Sequence, residues 1–243
     1  MIKKLLSIIL LFCFQAVSTH AQQLDFLLAA ADSLFADQKY TQSIKLYDSL
    51  YLYQEEASPS MLLKMAYIKE GLGDITGAQY YINEYYLATS NELALQKMED
   101  LAEANQLEGY QHNDITFFFN LYYKNYNWLV IGLLILATIL AAVIIIQKRK
   151  YQISPRFNSF LLLILLATLF VLVNFGKNYN RGVIIKNNTF IMSAPSSAAN
   201  LIDVTTKGHK VVVDGKEDVW YKIEWRGQEG YVKAKNVRLL TIW

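Results

Sequence analysis

The amino-acid sequence predicts a multidomain membrane protein that combines all-α helical hairpins, a two-helix transmembrane hairpin and a small all-β barrel. Three observations indicate this: a helical apolar period over residues 22–110, two uncharged apolar runs at 128–146 and 157–175, and seven short β-rich runs after residue 180. Charged residues make up only 18% of the 243-residue chain, against about 25% in soluble globular proteins. Part of the chain should therefore lie in lipid.

Residues 1–21 have the composition of a secretory signal peptide. Two lysines open the segment, an apolar run from Leu5 to Val17 follows, and the small residues Thr19 and Ala21 precede the expected cleavage point. An uncleaved membrane anchor is the alternative, although the apolar run is short for a span. The single cysteine, Cys13, lies in this segment, so we expect no disulfide scaffold and no cysteine-rich metal site.

Residues 22–110 contain a repeat with a spacing of 35, in which small residues alternate with large ones: Tyr40/Ile75, Ser43/Ala78 and Tyr47/Ile82. Small residues at this spacing let two helices cross closely, and bulky residues pack one turn away. Gly73 interrupts the second unit between its two helices. The segment resembles a tetratricopeptide repeat (TPR) array, whose period is about 34. The resemblance implies two repeats that pack through Tyr40, Ser43, Tyr47, Gly73, Ala78 and Ile82.

Other pairs of antiparallel helices share some of these features, so a general α-hairpin remains the alternative. Residues 91–106 read as a polar capping helix. Five tyrosines could form an aromatic groove for a peptide, but helical spacing alone produces such a stripe, so ordinary packing is expected for them: Tyr67, Tyr80, Tyr81, Tyr85 and Tyr86.

The two apolar runs predict membrane helices at 128–146 and 157–175. Nineteen helical residues reach about 28 Å, close to the hydrocarbon thickness of a bilayer. The loop at 147–156 carries four basic residues and no acid, which favours the cytoplasmic side. The aromatic-rich segment 111–127 suits the membrane–water interface on the other side. Together with the signal peptide, this predicts that the regions before and after the hairpin are both exported.

Residues 180–243 predict a small barrel of short strands separated by turns. The segment resembles the bacterial SH3 (SH3b) family through the stretches 192–195 (MSAP), 207–208 (KG), 220–223 (WYKI) and 230–232 (GYV). The family normally has arginine where Met192 stands. The resemblance implies binding of cell-wall peptides or proteins, with Trp220, Tyr221 and Tyr231 as candidate groove residues. Trp220 fits a core position of the barrel equally well.

Charge and motifs exclude several function classes. The net charge of +2 excludes a strongly basic nucleic-acid binder, and it conceals an acidic region at 22–127 (15 acids, 6 bases) and a basic one at 176–243 (11 bases, 6 acids). After the signal peptide only His112 and His209 remain, too isolated to suggest a metal site. No catalytic motif occurs, so we expect no enzyme activity and no cofactor.

The order of signal peptide, short TPR, membrane hairpin and SH3b domain resembles the BatE-like proteins of the aerotolerance (Bat) operon. The resemblance implies a non-enzymatic adaptor or scaffold of the bacterial inner membrane, with both of its soluble domains in the periplasm. Its implied partners are other Bat membrane proteins, besides membrane lipid. Two alternatives stay open: binding of peptidoglycan or cell-wall peptides by the SH3b domain, and docking of the basic domain on the acidic domain of the same or a neighbouring chain.

Overall fold

The computed structural model describes residues 25–53, 57–111, 114–152, 154–176 and 180–241. The predicted signal peptide lies outside these described residues. The chain divides into two compact units, residues 1–82 and 83–243. The boundary falls within a helix, and the helical domain expected over 22–110 stays a prediction. Each unit is described in turn.

The first unit is helical throughout its described part. Its elements are α1, described over 25–36, α2 (Tyr40–Tyr53), α3 (Pro59–Gly71) and the first half of α4 (Ile75–Thr89). Ser58 caps α3, because its hydroxyl accepts a hydrogen bond from the Met61 N–H at 3.2 Å, and Pro59 fits the first helical position, where no N–H is needed. Gly73, with φ of +74°, provides the left-handed turn between α3 and α4.

The helices of the first unit pack through the predicted small and aromatic positions. The Ser43 hydroxyl donates to the Ala31 carbonyl at 2.8 Å and joins α2 to α1, and the Tyr47 hydroxyl donates to the carboxylate of Asp32. Burial and the neighbouring carboxylate raise the pKa of Tyr47. Ala78 and Ile82 are also buried. Ser43, Tyr47, Ala78 and Ile82 thus lie inside the helix packing, whereas Tyr40 is half-buried and Gly73 is exposed in a turn. The assignment to the TPR family stays a prediction.

The tyrosines of the helical region act mainly as core residues. Tyr80, Tyr81 and Tyr86 are buried, while Tyr67 is 57% exposed. The Tyr81 hydroxyl donates to Asp48 Oδ1 at 2.7 Å, and the hydroxyls of Tyr51 and Tyr80 lie 2.8 Å apart. These contacts use the polar tips of the rings inside the helical packing. The described tyrosines therefore form packing contacts rather than an open aromatic groove.

The helices of the second unit are the end of α4, α5 (Glu92–Ala104), α6 (Asp114–Arg149) and α7 (Arg156–Phe175). Asn91 caps α5, since its Oδ1 accepts from the Leu93 N–H at 2.9 Å. From Asp114 onward, the predicted interfacial segment forms one continuous helix, α6, with the first membrane run. The side chains of residues 112–121, 123 and 124 lie outside the described part.

Helices α6 and α7 contain two stretches long and apolar enough to cross a membrane, Asn125–Arg149 and Arg156–Phe175. Only 6% of the residues in the most apolar stretch of each helix are buried, whereas the core helix of a soluble domain is mostly buried. The two helices pair at both ends: the Tyr126 hydroxyl donates to the Leu172 carbonyl at 2.9 Å, and the Asn158 amide donates to Gln147 Oε1 at 2.9 Å.

The remainder of the second unit is a seven-stranded antiparallel sheet in the order β3-β2-β6-β5-β4-β1-β7. The strands are β1 (Arg181–Ile184), β2 (Thr189–Met192), β3 (Leu201–Thr205), β4 (Lys210–Glu217), β5 (Trp220–Trp225), β6 (Gln228–Lys233) and β7 (Val237–Leu239). Each of the seven predicted β-rich runs overlaps one strand. Its core contains eight buried side chains: Ile184, Ile191, Val211, Val213, Ile223, Trp225, Val232 and Val237.

Candidate functional site

Alternation along β5 separates its aromatic residues onto two faces of the sheet. Ile223 and Trp225 belong to the buried core, and half-buried Tyr221 packs against that core. Trp220 is also buried, with 6% exposure, but it points to the opposite face and is absent from that core cluster. Its burial therefore comes from a second group of side chains.

That second group forms an apolar cleft of about 430 Å³ on the outer face of the sheet. Its apolar walls come from Phe190, Met192, Leu201 and Trp220, with Lys233 and Asn236 as polar neighbours. Strand pairing sets Met192 opposite Leu201 and Trp220 opposite Lys233. The cleft is of a size and lining that can hold an apolar side chain of a ligand.

Two apolar side chains in the walls of the cleft are more than half exposed to solvent, unlike core residues. Phe190 is 55% and Leu201 54% exposed, although both are large apolar side chains. The Lys233 Nζ lies 5.4 Å from the centre of the Trp220 ring. This cation–π contact keeps a positive charge at the cleft beside the buried indole. The arrangement favours a ligand that combines an apolar group with a polar or anionic one.

The three aromatic residues proposed from the sequence do not form one site. Trp220 lines the cleft and Tyr221 packs on the core face. Tyr231 pairs with the cleft residue Met192 and so lies on the same face as Trp220, next to the cleft lining, with its hydroxyl 3.4 Å from Glu217 Oε1. Sequence reasoning missed Phe190 as a cleft residue. The alternation in β2, where Ile191 is buried in the core, would have placed Phe190 on the outer face.

A second feature of the sheet is a chain segment docked against it, residues 107–111, which we call the strap. The strap follows α5 and precedes α6. The Glu108 N–H donates to His209 Nδ1 at 3.0 Å, and the Lys210 N–H donates to the Glu108 carbonyl at 3.0 Å. The Tyr110 hydroxyl donates to the Gly208 carbonyl at 2.7 Å. The strap is thus hydrogen-bonded to the turn before β4 and to the start of that strand.

An arginine at the β5–β6 turn holds the side chain of the strap's glutamate. The Arg226 Nη2 lies 2.6 Å from Glu108 Oε1, and Arg226 Nη1 lies 3.1 Å from Asp203 Oδ2. The hydrogen bond from Arg226 lowers the pKa of Glu108, and the hydrogen bond from the Trp225 indole is the main cause that lowers the pKa of Asp203. Because water reaches and screens these groups, each ion pair adds little to stability.

Gly109 lets the strap lie close to the sheet. Its φ is +87°, and a Cβ at this position would collide with the Lys210 carbonyl oxygen. Burial lowers the pKa of the Lys210 amine to about 7, and the Lys210 Nζ lies 5.0 Å from the Tyr110 ring. The aromatic ring favours the ammonium form, but the loss of hydration outweighs it. Backbone geometry and side-chain contacts together fix the position of the strap.

A further contact joins the other end of the sheet to a helix of the same unit. Glu84 in α4 is fully buried, and its Oε1 accepts a hydrogen bond from the Thr241 N–H at 2.7 Å. Thr241, two residues after the end of β7, is therefore fixed to α4, in addition to the strap contacts. Among the described residues, no group of three or more histidine, cysteine, aspartate or glutamate side chains is arranged to hold a metal ion.

Comparison with known protein families agrees with the β topology of this region. Residues 187–238 match the family described as Bacterial SH3 domain. No curated protein matches the chain. The matched residues include the cleft residues Phe190, Met192, Leu201 and Trp220, and also His209 and Arg226, which hold the strap. The C-terminal part of this chain therefore contains a bacterial SH3 domain at residues 187–238.

Proposed function

We propose that the protein is a non-enzymatic adaptor of the cell envelope whose bacterial SH3 domain binds a protein segment in the cleft beside Trp220. The observation that carries the proposal is the pair of exposed apolar walls, Phe190 and Leu201, around a cleft with a buried indole. Exposed apolar patches next to a buried aromatic anchor are characteristic of protein-binding surfaces. Bacterial SH3 domains commonly bind proteins or peptidoglycan, which agrees with this role.

The adaptor is anchored in the inner membrane by α6 and α7. The basic loop at 147–156 favours a cytoplasmic connection between the two helices. The strap precedes α6 and contacts the sheet that follows α7, so both must lie on the same side of the membrane. This contact supports a hairpin topology with the SH3 domain in the periplasm. Fusions of periplasm-sensitive reporters after residues 110, 151 and 243 test it, and activity of the 151 fusion would contradict it.

In this proposal the helical region is a second binding module. It consists of TPR-like repeats that hold a segment of a partner protein, with other Bat membrane proteins as the expected partners. Its excess of acidic residues, 15 against 6 basic ones over 22–127, suits a partner with basic segments. Deletion of residues 22–110 should remove such a partner from complexes isolated from solubilised membranes.

The cleft is tested with exposed residues, because replacement of buried Trp220 could unfold the domain. Phe190→Ser and Leu201→Ser shorten the two exposed walls. Val219→Ser is the matched control, because Val219 is 54% exposed but does not line the cleft. We expect the cleft variants of the full-length protein to lose envelope partners that wild type and the Val219→Ser variant retain. Equal retention by all four proteins would contradict a role for the cleft.

Peptidoglycan or a cell-wall peptide is the second candidate ligand. The matched family and the excess of 11 basic over 6 acidic residues at 176–243 favour it, because cell-wall polymers and their peptides carry negative charge. Sedimentation of the full-length protein in detergent with purified peptidoglycan tests this alternative. Failure to co-sediment at low salt would exclude it.

A further inference from the structure

The strap contacts select particular side chains, in addition to the backbone. Arg226 holds the Glu108 carboxylate, the Lys210 carbonyl leaves no room for a Cβ on Gly109, and the Gly208 carbonyl accepts from the Tyr110 hydroxyl. Three consecutive residues are thus each recognised by a different feature of the sheet. The residues that make these contacts are separate from those that line the cleft.

We propose that the sheet surface around His209 and Arg226 is a recognition site for a Glu-Gly-Tyr segment, occupied by Glu108, Gly109 and Tyr110 of this chain, and that protonation of His209 releases the segment. The Glu108 N–H donates to His209 Nδ1 at 3.0 Å. A ring nitrogen can accept a hydrogen bond only when it carries no proton. In the imidazolium form, Nδ1–H would face the N–H of Glu108, and this contact would become repulsive.

The charges around His209 act in both directions. Glu108 and Asp203 favour the imidazolium, and Arg226 opposes it. The imidazole ring packs edge-on against the Trp225 ring, with 5.4 Å between the ring centres. Its Nε2 lies 3.3 Å from Thr206 Oγ1. Burial is the largest influence, and it lowers the pKa of His209 below its ordinary value of 6.5. The docked state therefore binds this proton less readily than the released state.

This difference sets the direction of the pH dependence. The contribution of neutral His209 to docking is complete above the ordinary pKa of 6.5 and is lost as the pH falls through that value towards the docked pKa. Once the pH is below the pKa of docked His209, the docking constant has fallen about tenfold for each pH unit that separates this pKa from 6.5.

The other titrating groups of the strap act in different pH ranges. Burial lowers the pKa of Lys210 from 10.5 to about 7, so its effect on docking changes mainly between these values and becomes constant about one pH unit below the lower one. The pKa of Glu108 is lowered from 4.5, so its contribution is lost only below that value. Release that continues between about pH 6 and pH 5 therefore reports His209, and the Lys210→Met variant separates the two groups above that range.

Hydrogen exchange of the full-length protein in nanodiscs tests the proposal. Exchange of the Glu108 and Lys210 amides is compared between about pH 7.5 and about pH 5, after correction for intrinsic exchange rates. We expect wild type to lose protection at the lower pH. His209→Asn should keep it, because the amide oxygen of asparagine can accept the Glu108 N–H without titrating. His112→Asn is the control and should behave like wild type.

Three results would overturn the proposal. The first is equal amide protection of wild type at both pH values, and the second is a wild-type loss of protection in His209→Asn. The third is a Lys210→Met variant that stays protected at the lower pH while His209→Asn does not. Nitrogen NMR of His209 in the wild-type protein provides a measurement that does not depend on a variant. We expect the Nε2–H tautomer above the transition, with Nδ1 as acceptor, and protonation at the same pH as release. An Nδ1–H tautomer of His209 in the docked state would contradict the proposed release by protonation.

Discussion

Replacement of Gly109 by alanine should detach the strap from the sheet. Gly109 has φ of +87°, and its Cβ would collide with the Lys210 carbonyl oxygen, which is backbone and cannot rotate away. The left-handed conformation alone costs an alanine about 1–2 kcal/mol. The collision adds to this strain, so we expect the docked conformation to be lost.

The stability at stake can be worked from the contacts of the strap. Three hydrogen bonds, from the Glu108 N–H, the Lys210 N–H and the Tyr110 hydroxyl, contribute about 0.5–1.5 kcal/mol each. The exposed pair of Glu108 and Arg226 adds little to this sum, because water screens the two charges. Gly109→Ala should therefore lower the free energy of strap opening by about 1.5–4.5 kcal/mol.

Gly227→Ala is the matched control for this prediction. Gly227 has φ of +78°, but a Cβ there would meet no atom within 4 Å. The control carries the conformational strain without the collision, so it should cost only about 1–2 kcal/mol. Hydrogen exchange of the amides in 107–111 measures strap opening, and the Ile223 amide reports whether the sheet core remains folded. The steric argument would be refuted if the strap amides of both variants were equally protected.

Three further predictions concern other parts of the chain. Ser58→Ala removes the cap of α3 and should lower the free energy of unfolding of the helical unit by about 0.5–2 kcal/mol, measured by urea denaturation; unchanged stability would contradict the capping role. Tyr126→Phe removes the hydroxyl that donates to Leu172 and should weaken the pairing of α6 and α7 by about 0.5–1.5 kcal/mol, measured by energy transfer between labels on the two helices in nanodiscs, with unchanged transfer as the contrary result. In the His209→Asn background, which keeps the strap docked at low pH, Glu108→Gln should leave docking nearly unchanged between about pH 4.5 and pH 3, whereas His209→Asn alone loses the carboxylate contribution; an equal loss of protection in both proteins would show that another acid is responsible.

Local sequence patterns predict most of the secondary structure. The seven β-rich runs reflect alternation and turn residues, which act over a few positions, and each overlaps a strand. The small residues Ser43 and Ala78 predicted close helix contacts, and both are buried. The apolar runs of α6 and α7 follow from composition alone. The membrane orientation and the TPR family remain predictions.

The site could be predicted only in part, because it depends on contacts between distant residues. Alternation along β5 places Trp220 on the face of the sheet that points away from the core. The cleft also requires β2 to pair with β3 and β6, which the sequence does not predict. The strap gives no periodic signal, since Glu108 and Arg226 lie 118 positions apart. Gly109 is the one local signal of the strap, because a glycine after a helical region often adopts a positive φ. Its partner could not be identified from the sequence.

The strap also determines how a mechanical force would travel through the protein. A ligand that pulls on the SH3 domain loads the contacts of Arg226 with Glu108, and the Glu84 contact with Thr241 lies parallel to them. Because the strap contacts join the segment before α6 to the sheet that follows α7, tension on the docked domain is shared between the chain that enters α6 and the chain that leaves α7. After its release, the chain leading to α7 would carry a larger share of the same tension.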